Sequence, residues 1–213
     1  MKVVFCDNHI LVLEKPAGLA TQPSLDCLDS LEQQSKWWIK TQFNKSGNVF
    51  LHAVHRLDRP VSGLVLFART SKALSRLNES MRQQHFKKIY KARVEGNLPS
   101  HEAELKHYLL HGEYKAIVKQ EAFEGAKKCS LFYKAISFDH KTTLVEVYLI
   151  TGRYHQIRAQ FAAAGHPILA DKKYGSHFDA EHPGIYLHQG VLSFPHPITK
   201  EEMTFTSSAD WDV

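Results

Sequence analysis

A chain of 213 residues is long enough to bury a substantial core, and 43% hydrophobic against 23% charged residues is the balance of a soluble globular protein. Three scattered cysteines with no Cys-x-x-Cys pair argue against a disulfide framework, and with neither a signal-peptide pattern nor an apolar run near the roughly 20 residues of a bilayer span, a cytosolic protein is expected. The formal net charge of +5 favours a polyanionic partner, nucleic acid ahead of an anionic membrane.

The first element is a hairpin: Val3-Val4-Phe5 and Ile10-Leu11-Val12-Leu13 flank the turn formers Asp7-Asn8, and Lys15-Pro16-Ala17-Gly18 ends the second strand. Leu25, Leu28, Leu31, Trp38 and Ile39 then recur at roughly helical spacing, with Asp26, Asp29 and Ser30 as candidate caps. Residues 44–48, Asn-Lys-Ser-Gly-Asn, are a loop by composition.

Residues 55–63, His-Arg-Leu-Asp-Arg-Pro-Val-Ser-Gly, place Asp58 between Arg56 and Arg59. Arg59 precedes Pro60 and is pushed away from helix, so this stretch is a shaped loop. The apolar run 64–68 that follows reads as a buried strand. A carboxylate among cations, on a loop rooted in such a strand, is a candidate reactive group.

Ser71 caps a helix whose apolar face carries Leu74, Leu77 and Met81. Residues 89–95 alternate, with Tyr90, Ala92 and Val94 on one side, as a half-buried strand does. Residues 131–136 and 142–150 are two more strands joined by the polar turn Asp139-His140-Lys141. Gln156 to Ala164 reads as a helix with Ile157, Phe161 and Ala164 inward and Gly165 as its stop. Residues 186–194 and 203–206 return to strand.

Basic residues gather over 82–91 and at Lys127-Lys128. Each cluster reads as a solvated face, while Phe86 and Tyr90 within the first also suit a surface that meets phosphates and stacks bases. No repeat or linker divides the chain, and strands and helices mix without regular βα alternation. The expectation is α+β, a mostly antiparallel sheet flanked by helices and loops, in one compact domain over 1–213.

Taken in order, these motifs name a family. Glu14-Lys15-Pro16-Ala17-Gly18, His55-Arg56-Leu57-Asp58 with Ser62-Gly63, and Lys88-Ile89-Tyr90-Lys91-Ala92-Arg93-Val94 come first. Thr151-Gly152-Arg153-Tyr154-His155-Gln156-Ile157-Arg158 and Gly165-His166-Pro167-Ile168-Leu169-Ala170-Asp171 follow. The tail from Leu187-His188 through His196-Pro197 to Met203-Thr204-Phe205 completes the set. The chain resembles the RluA-type pseudouridine synthases, which isomerise uridine in structured RNA by breaking the N-glycosidic bond and rejoining the base through C5. It departs at Val61 and Leu131, where members commonly carry Thr. No separate RNA-binding domain is expected before the catalytic part.

The resemblance implies a pseudouridine synthase fold and makes Asp58 the catalytic carboxylate. Such a group can add to the anomeric carbon, abstract a ribose proton or stabilise oxocarbenium-like charge, and all three routes stay open. It implies that Arg153 is the guanidinium partner of Asp58, and that Tyr90 stacks on the uracil and lies where the C5 proton leaves. Arg56 would fill the space left by the everted nucleotide. His55 belongs with the substrate-contacting residues, Ile168 and Leu169 wall the uracil pocket or simply pack the core, and Lys15, Lys88, Arg158 and Lys172 are candidates for backbone phosphates. The expected partner is RNA, ribosomal or transfer, with the protein a cytoplasmic monomer. An RNA-binding protein that remodels RNA without isomerising it is the alternative class.

Among fourteen histidines, His107/His111, His52/His55 and His177/His182 lie close in sequence, yet no His-Glu-x-x-His or Cys-rich pattern accompanies them. No metal and no cofactor are expected. There is also no Gly-x-Gly-x-x-Gly and no P-loop, and isomerisation exchanges no electrons and needs no phosphoryl donor.

Overall fold

In the computed structural model, which describes residues 1–24 and 27–211, the N-terminal alternation forms the hairpin of β1 (Lys2–Cys6) and β2 (Ile10–Lys15). Asp7 closes its turn, its Oδ1 accepting the amides of His9 and Ile10 at 2.7 Å each. Contacts divide the chain into two units: Met1–Lys87 with Gln189–Ala209, and Lys88–His188 with Asp210 and Trp211.

In the first unit α1 (Leu31–Gln42) starts later than the apolar spacing indicates. The extended Ser30 is its cap, its hydroxyl accepting the Gln33 amide, and Leu31, Ser35 and Ile39 face inward at i, i+4, i+8. Leu28 precedes the helix and is exposed, and Leu25 and Asp26 lie outside the described residues. A short β3 (His52–Ala53), unanticipated, pairs with β4 (Ser62–Ala68). In α2 (Ser71–Arg82) the cap is Thr70 rather than Ser71, because Thr70 has the extended backbone and its hydroxyl accepts the Ala73 amide at 3.1 Å. Leu64, Leu66 and Ala68 of β4 join Ile10 and Val12 of β2 and Ala73 and Leu77 of α2 in one core cluster. At about 1.5–3 kcal/mol for each large apolar side chain removed from water, this cluster makes β4 the fixed base of the loop before it.

The second unit holds β5 (Lys87–Glu95, all but its first residue), β6 (Glu102–His111), β7 (Ala116–Lys119), β8 (Lys127–Phe138) and β9 (Thr142–Leu149), in the spatial order β5-β9-β8-β6-β7. Every registered pairing among them is antiparallel. Tyr90, Val147 and Tyr133 form one cross-strand row, and the Tyr133 ring meets Phe161 of α3 (Gln156–Ala163) at 5.6 Å. Ala164 is exposed instead of inward, because the helix ends there and Gly165 turns the chain with φ +86°.

Strand β10 (Leu187–Pro195) returns the chain to the first unit beside β4, and β11 (Glu202–Thr206) pairs with it antiparallel. The first unit therefore reads β1-β2-β4-β10-β11, with β3 also on β4. Within the basic stretch 82–91, Phe86 offers no base-stacking face. Phe86 stacks on Phe194 of β10 at 5.4 Å, packed against the core cluster, and Tyr90 is 6% exposed.

Candidate active site

In the first unit, the loop before β4 is clamped from below. The Leu57 amide donates to Thr21 Oγ1 at 3.1 Å, and the same hydroxyl donates to the Leu57 carbonyl at 2.9 Å. One buried hydroxyl thus fixes both ends of the residue between Arg56 and Asp58. The Asp58 carbonyl accepts the Val61 amide at 3.0 Å, closing a turn over Arg59-Pro60. Asp58 is half-buried, and Arg56 is exposed. His55, part-buried, meets the Leu64 carbonyl through Nε2 at 3.2 Å.

Lys15 is the second clamp. Its side chain has no exposed surface, and Nζ donates to the carbonyls of Pro16, Leu19 and Arg59 at 2.9, 2.6 and 3.2 Å. Burial lowers its pKa to about 8, and attraction to Asp58 offsets part of that fall. This corrects the expectation that Lys15 meets an RNA phosphate: the ammonium is spent inside the protein. Arg59 is also engaged, with Nε donating to the Gly18 carbonyl at 2.8 Å while its own carbonyl accepts the Gly18 amide at 2.8 Å.

Gly63 has a close neighbour on the other side of β4. A Cβ on it would come within 2.5 Å of the backbone N and O of Gln189, and its φ is +122°. Glycine is thus required for β10 to lie against the root of the loop.

In the second unit, Lys88 and Tyr90 share the face of β5 that carries the buried Ala92 and Val94. The Lys88 Nζ lies 3.4 Å from where a Cβ on Gly152 would stand, and burial lowers its pKa. Lys88 therefore sits beside the loop that presents Arg153. That loop has its own clamp in Gln156, whose side chain is buried at the start of α3. Its Oε1 accepts the Arg153 amide at 3.0 Å and the Thr151 hydroxyl at 2.7 Å, while Nε2 donates to the Ser130 carbonyl at 3.0 Å. Arg153 itself is exposed.

Three more expected contacts are internal. Arg158, 4% exposed, forks onto Asp171 with Nε–Oδ2 at 2.7 Å and Nη2–Oδ1 at 2.9 Å. A phosphate contact is thereby replaced by a buried ion pair. Ile168 and Leu169 run along β5: Ile168 bridges Val94, and the Leu169 amide donates to the Arg93 carbonyl at 2.9 Å. Both are in the core, Ile168 with no exposed surface, so packing rather than a pocket wall accounts for them. Lys172 is exposed and pairs with Asp179 at 2.8 Å.

The histidine pairs are dispersed. His107 lies between Gln120 and Gln160, His111 lies against Tyr154, and His177 meets Glu95. Among the described residues no three His, Cys, Asp or Glu side chains gather as metal ligands would. Thr21 and Gln156, the two clamps, carry no chemistry of their own. Thr21 is a polar residue between Gly and Pro that nothing in the sequence marks, while Gln156 stands in the run 151–158 that carries the resemblance without its clamping role being legible there.

The first unit presents a carboxylate on a rigid loop with an exposed guanidinium two residues away. The second presents an aromatic ring, a desolvated ammonium and an exposed guanidinium. A carboxylate on such a loop, with an exposed cation near it in sequence, suits reaction at the sugar of a nucleotide.

Comparison with known proteins agrees in kind. Residues 9–163 match the family model described as RNA pseudouridylate synthase. The chain is 33% identical to the dual-specificity RNA pseudouridine synthase RluA of Pasteurella multocida, over 97% of this chain and 92% of that one. It is 34% identical to the ribosomal large subunit pseudouridine synthase C of Escherichia coli, over 98% of this chain and 66% of that one. The structure of human RNA pseudouridylate synthase domain containing 4 superposes with a TM-score of 0.81 at 19% identity, over 99% of this chain and 89% of that one, a likeness of fold.

Proposed function

Because the chain belongs to the RNA pseudouridylate synthase family, as a member of RluA type, we propose that it isomerises uridine with Asp58 as the reacting carboxylate. The substrate class is ribosomal or transfer RNA. In the reaction the N1–C1′ bond breaks, the base turns, C5 bonds to C1′, and the proton on C5 leaves as N1 gains one. Atoms and electrons balance within the nucleotide, so no redox partner or phosphoryl donor takes part.

The observation that carries this reading is the loop around Asp58. Thr21 pins both backbone groups of Leu57, and Lys15 gathers three carbonyls beneath, so the carboxylate stands on a preorganised support. Arg56, exposed two residues before it, is the side chain to enter the space vacated by an extruded uridine, whose unstacking costs a few kcal/mol. Tyr90 acts on the base, by stacking and by taking the C5 proton, and Arg153 supplies a cation to the reaction. The protein works as a cytosolic monomer on one catalytic domain.

The test is turnover on unmodified RNA transcripts with Asp58→Asn as comparison. Loss of pseudouridine formation with retained fold and RNA binding is expected, and clear residual isomerisation by Asp58→Asn refutes the assignment. Wild-type protein that binds RNA tightly yet forms no pseudouridine would instead favour a remodelling protein on this scaffold.

A further inference from the structure

Resting on the pseudouridine synthase reading, we propose that the tip of the β6–β7 hairpin is a stacking platform for a single-stranded stretch of the substrate RNA beside the target nucleotide. Tyr114, at the turn, is 74% exposed, which is unusual for a ring with so much apolar surface. Lys115 and Lys173 are exposed next to it, and Glu113 is the one carboxylate in the turn. Exposed rings among cations are the means by which proteins hold unpaired nucleotides: the ring takes the base and the cation takes the phosphate.

The tip is anchored to the elements that present Arg153. The Lys173 Nζ donates to the Tyr114 carbonyl at 2.8 Å, and the Ala116 amide donates to the Tyr174 hydroxyl at 2.8 Å. Burial pushes the Tyr174 phenol up to about 12, so it keeps its proton, and its hydroxyl is hydrogen-bonded to His155 Nδ1 at 2.9 Å. Arg158, forked onto Asp171, lies over the Tyr174 ring at 5.1 Å. The hairpin is therefore keyed to the start of α3 through the part-buried Tyr174 hydroxyl.

Ring contacts join the turn end of β6 to the loop that presents Arg153. His111, exposed at the last position of β6 before the turn, has its ring 3.9 Å from Tyr154, the residue after Arg153, and Tyr154 stacks on His155 at 3.8 Å and 19°. His111 thus lies between the loop of Arg153 and the turn that carries Tyr114. Nucleotides next to an extruded base are unstacked and offer the free faces this surface needs.

The experiment compares wild type, Tyr114→Ala, Tyr114→Phe and Tyr114→Ala/Lys115→Ala, each checked for native circular dichroism. Phe138→Ala/Lys141→Ala, an exposed ring and cation on the β8–β9 turn, controls for lost charge. The probes are unmodified in vitro transcripts of ribosomal and transfer RNA, scored for binding and for pseudouridine. The platform predicts that the double variant raises Kd and KM roughly tenfold or more with kcat kept at saturating RNA. It predicts that log Kd against log salt loses about 0.7 of slope for the lost phosphate contact, and that Tyr114→Phe behaves as wild type. Wild-type Kd in the double variant, an equal loss in the control, or a Tyr114→Phe as weak as Tyr114→Ala overturns it. If wild type forms no pseudouridine on any transcript the activity reading fails, while the Kd comparison still decides the platform.

Discussion

The ammonium of Lys15 beneath the Asp58 loop carries a pH signature whose sign can be worked out. Lys15→Met keeps the length of the stem and deletes the charge. Three carbonyls lose their donor, at about 1–3 kcal/mol each, while removal of a cation held at a pKa of about 8 instead of 10.5 returns about 3 kcal/mol at about 1.4 kcal/mol per pKa unit. A net loss of about 0–6 kcal/mol at pH 7 is expected. Between pH 8 and 10.5 the unfolded chain keeps the lysine proton and the folded chain gives it up, so the unfolded state binds more protons and wild-type stability rises with pH. The variant lacks this contribution. The difference between the two proteins therefore widens by about 1.4 kcal/mol per pH unit across that window and is flat below it. Urea unfolding of both proteins at steps from pH 6.5 to 10.5 measures this, since titrations common to both cancel in the difference. A gap that narrows as pH rises would refute the reasoning, because the three carbonyls and Asp58 would then hold the proton more tightly than water does.

Other perturbations test the supports separately. Thr21→Val strands the buried amide and carbonyl of Leu57, so about 2–4 kcal/mol of stability is lost and kcat falls at least tenfold with little change in KM, whereas Thr21→Ser restores both; steady-state kinetics at saturating RNA separates the two. Gly63→Ala drives a methyl to 2.5 Å from the Gln189 backbone at φ +122°, costing about 3–5 kcal/mol, and a urea midpoint equal to wild type would disprove the close approach. Ala170 has φ +66°, so Ala170→Gly relieves left-handed strain and raises the melting temperature by roughly 2–4 °C for about 1 kcal/mol; an unchanged or lower value by calorimetry contradicts it. Gln156→Glu turns an amide that donates to the Ser130 carbonyl into an oxygen that repels it, so activity recovers as pH falls toward the protonation of the new acid, and a pH profile parallel to wild type counts against the clamp on Arg153.

Strands with strong alternation or continuous apolar runs were legible in the chain: β1, β2, β4, β5 and β9 lie where their residues place them, because side-chain period and burial agree there. Strands β6 and β7 were not. Ala103, Leu105 and Leu109 do alternate, but His107 occupies the inward register between them and hides the period until Gln120 and Gln160 are seen to satisfy its ring. The reactive residues were visible for a different reason. Asp58, Tyr90 and Arg153 sit in short runs whose order along the chain matches a family, and a run of neighbours survives any folding. What those residues lean on was invisible, since Thr21 reaches Leu57 across 36 residues and Gln156 reaches Ser130 across 26.

Sequence alone determined the class of fold, the family and the residues with chemistry to offer, because hydrophobic period and local motifs are properties of neighbours along the chain. Tertiary structure alone decided which cations face solvent. Lys15 and Arg158, indistinguishable in the sequence from surface charges that meet RNA, are sealed inside on three carbonyls and on Asp171. Burial depends on what packs from elsewhere in the chain, and a charge is tolerated there only where folding brings it enough partners to replace water.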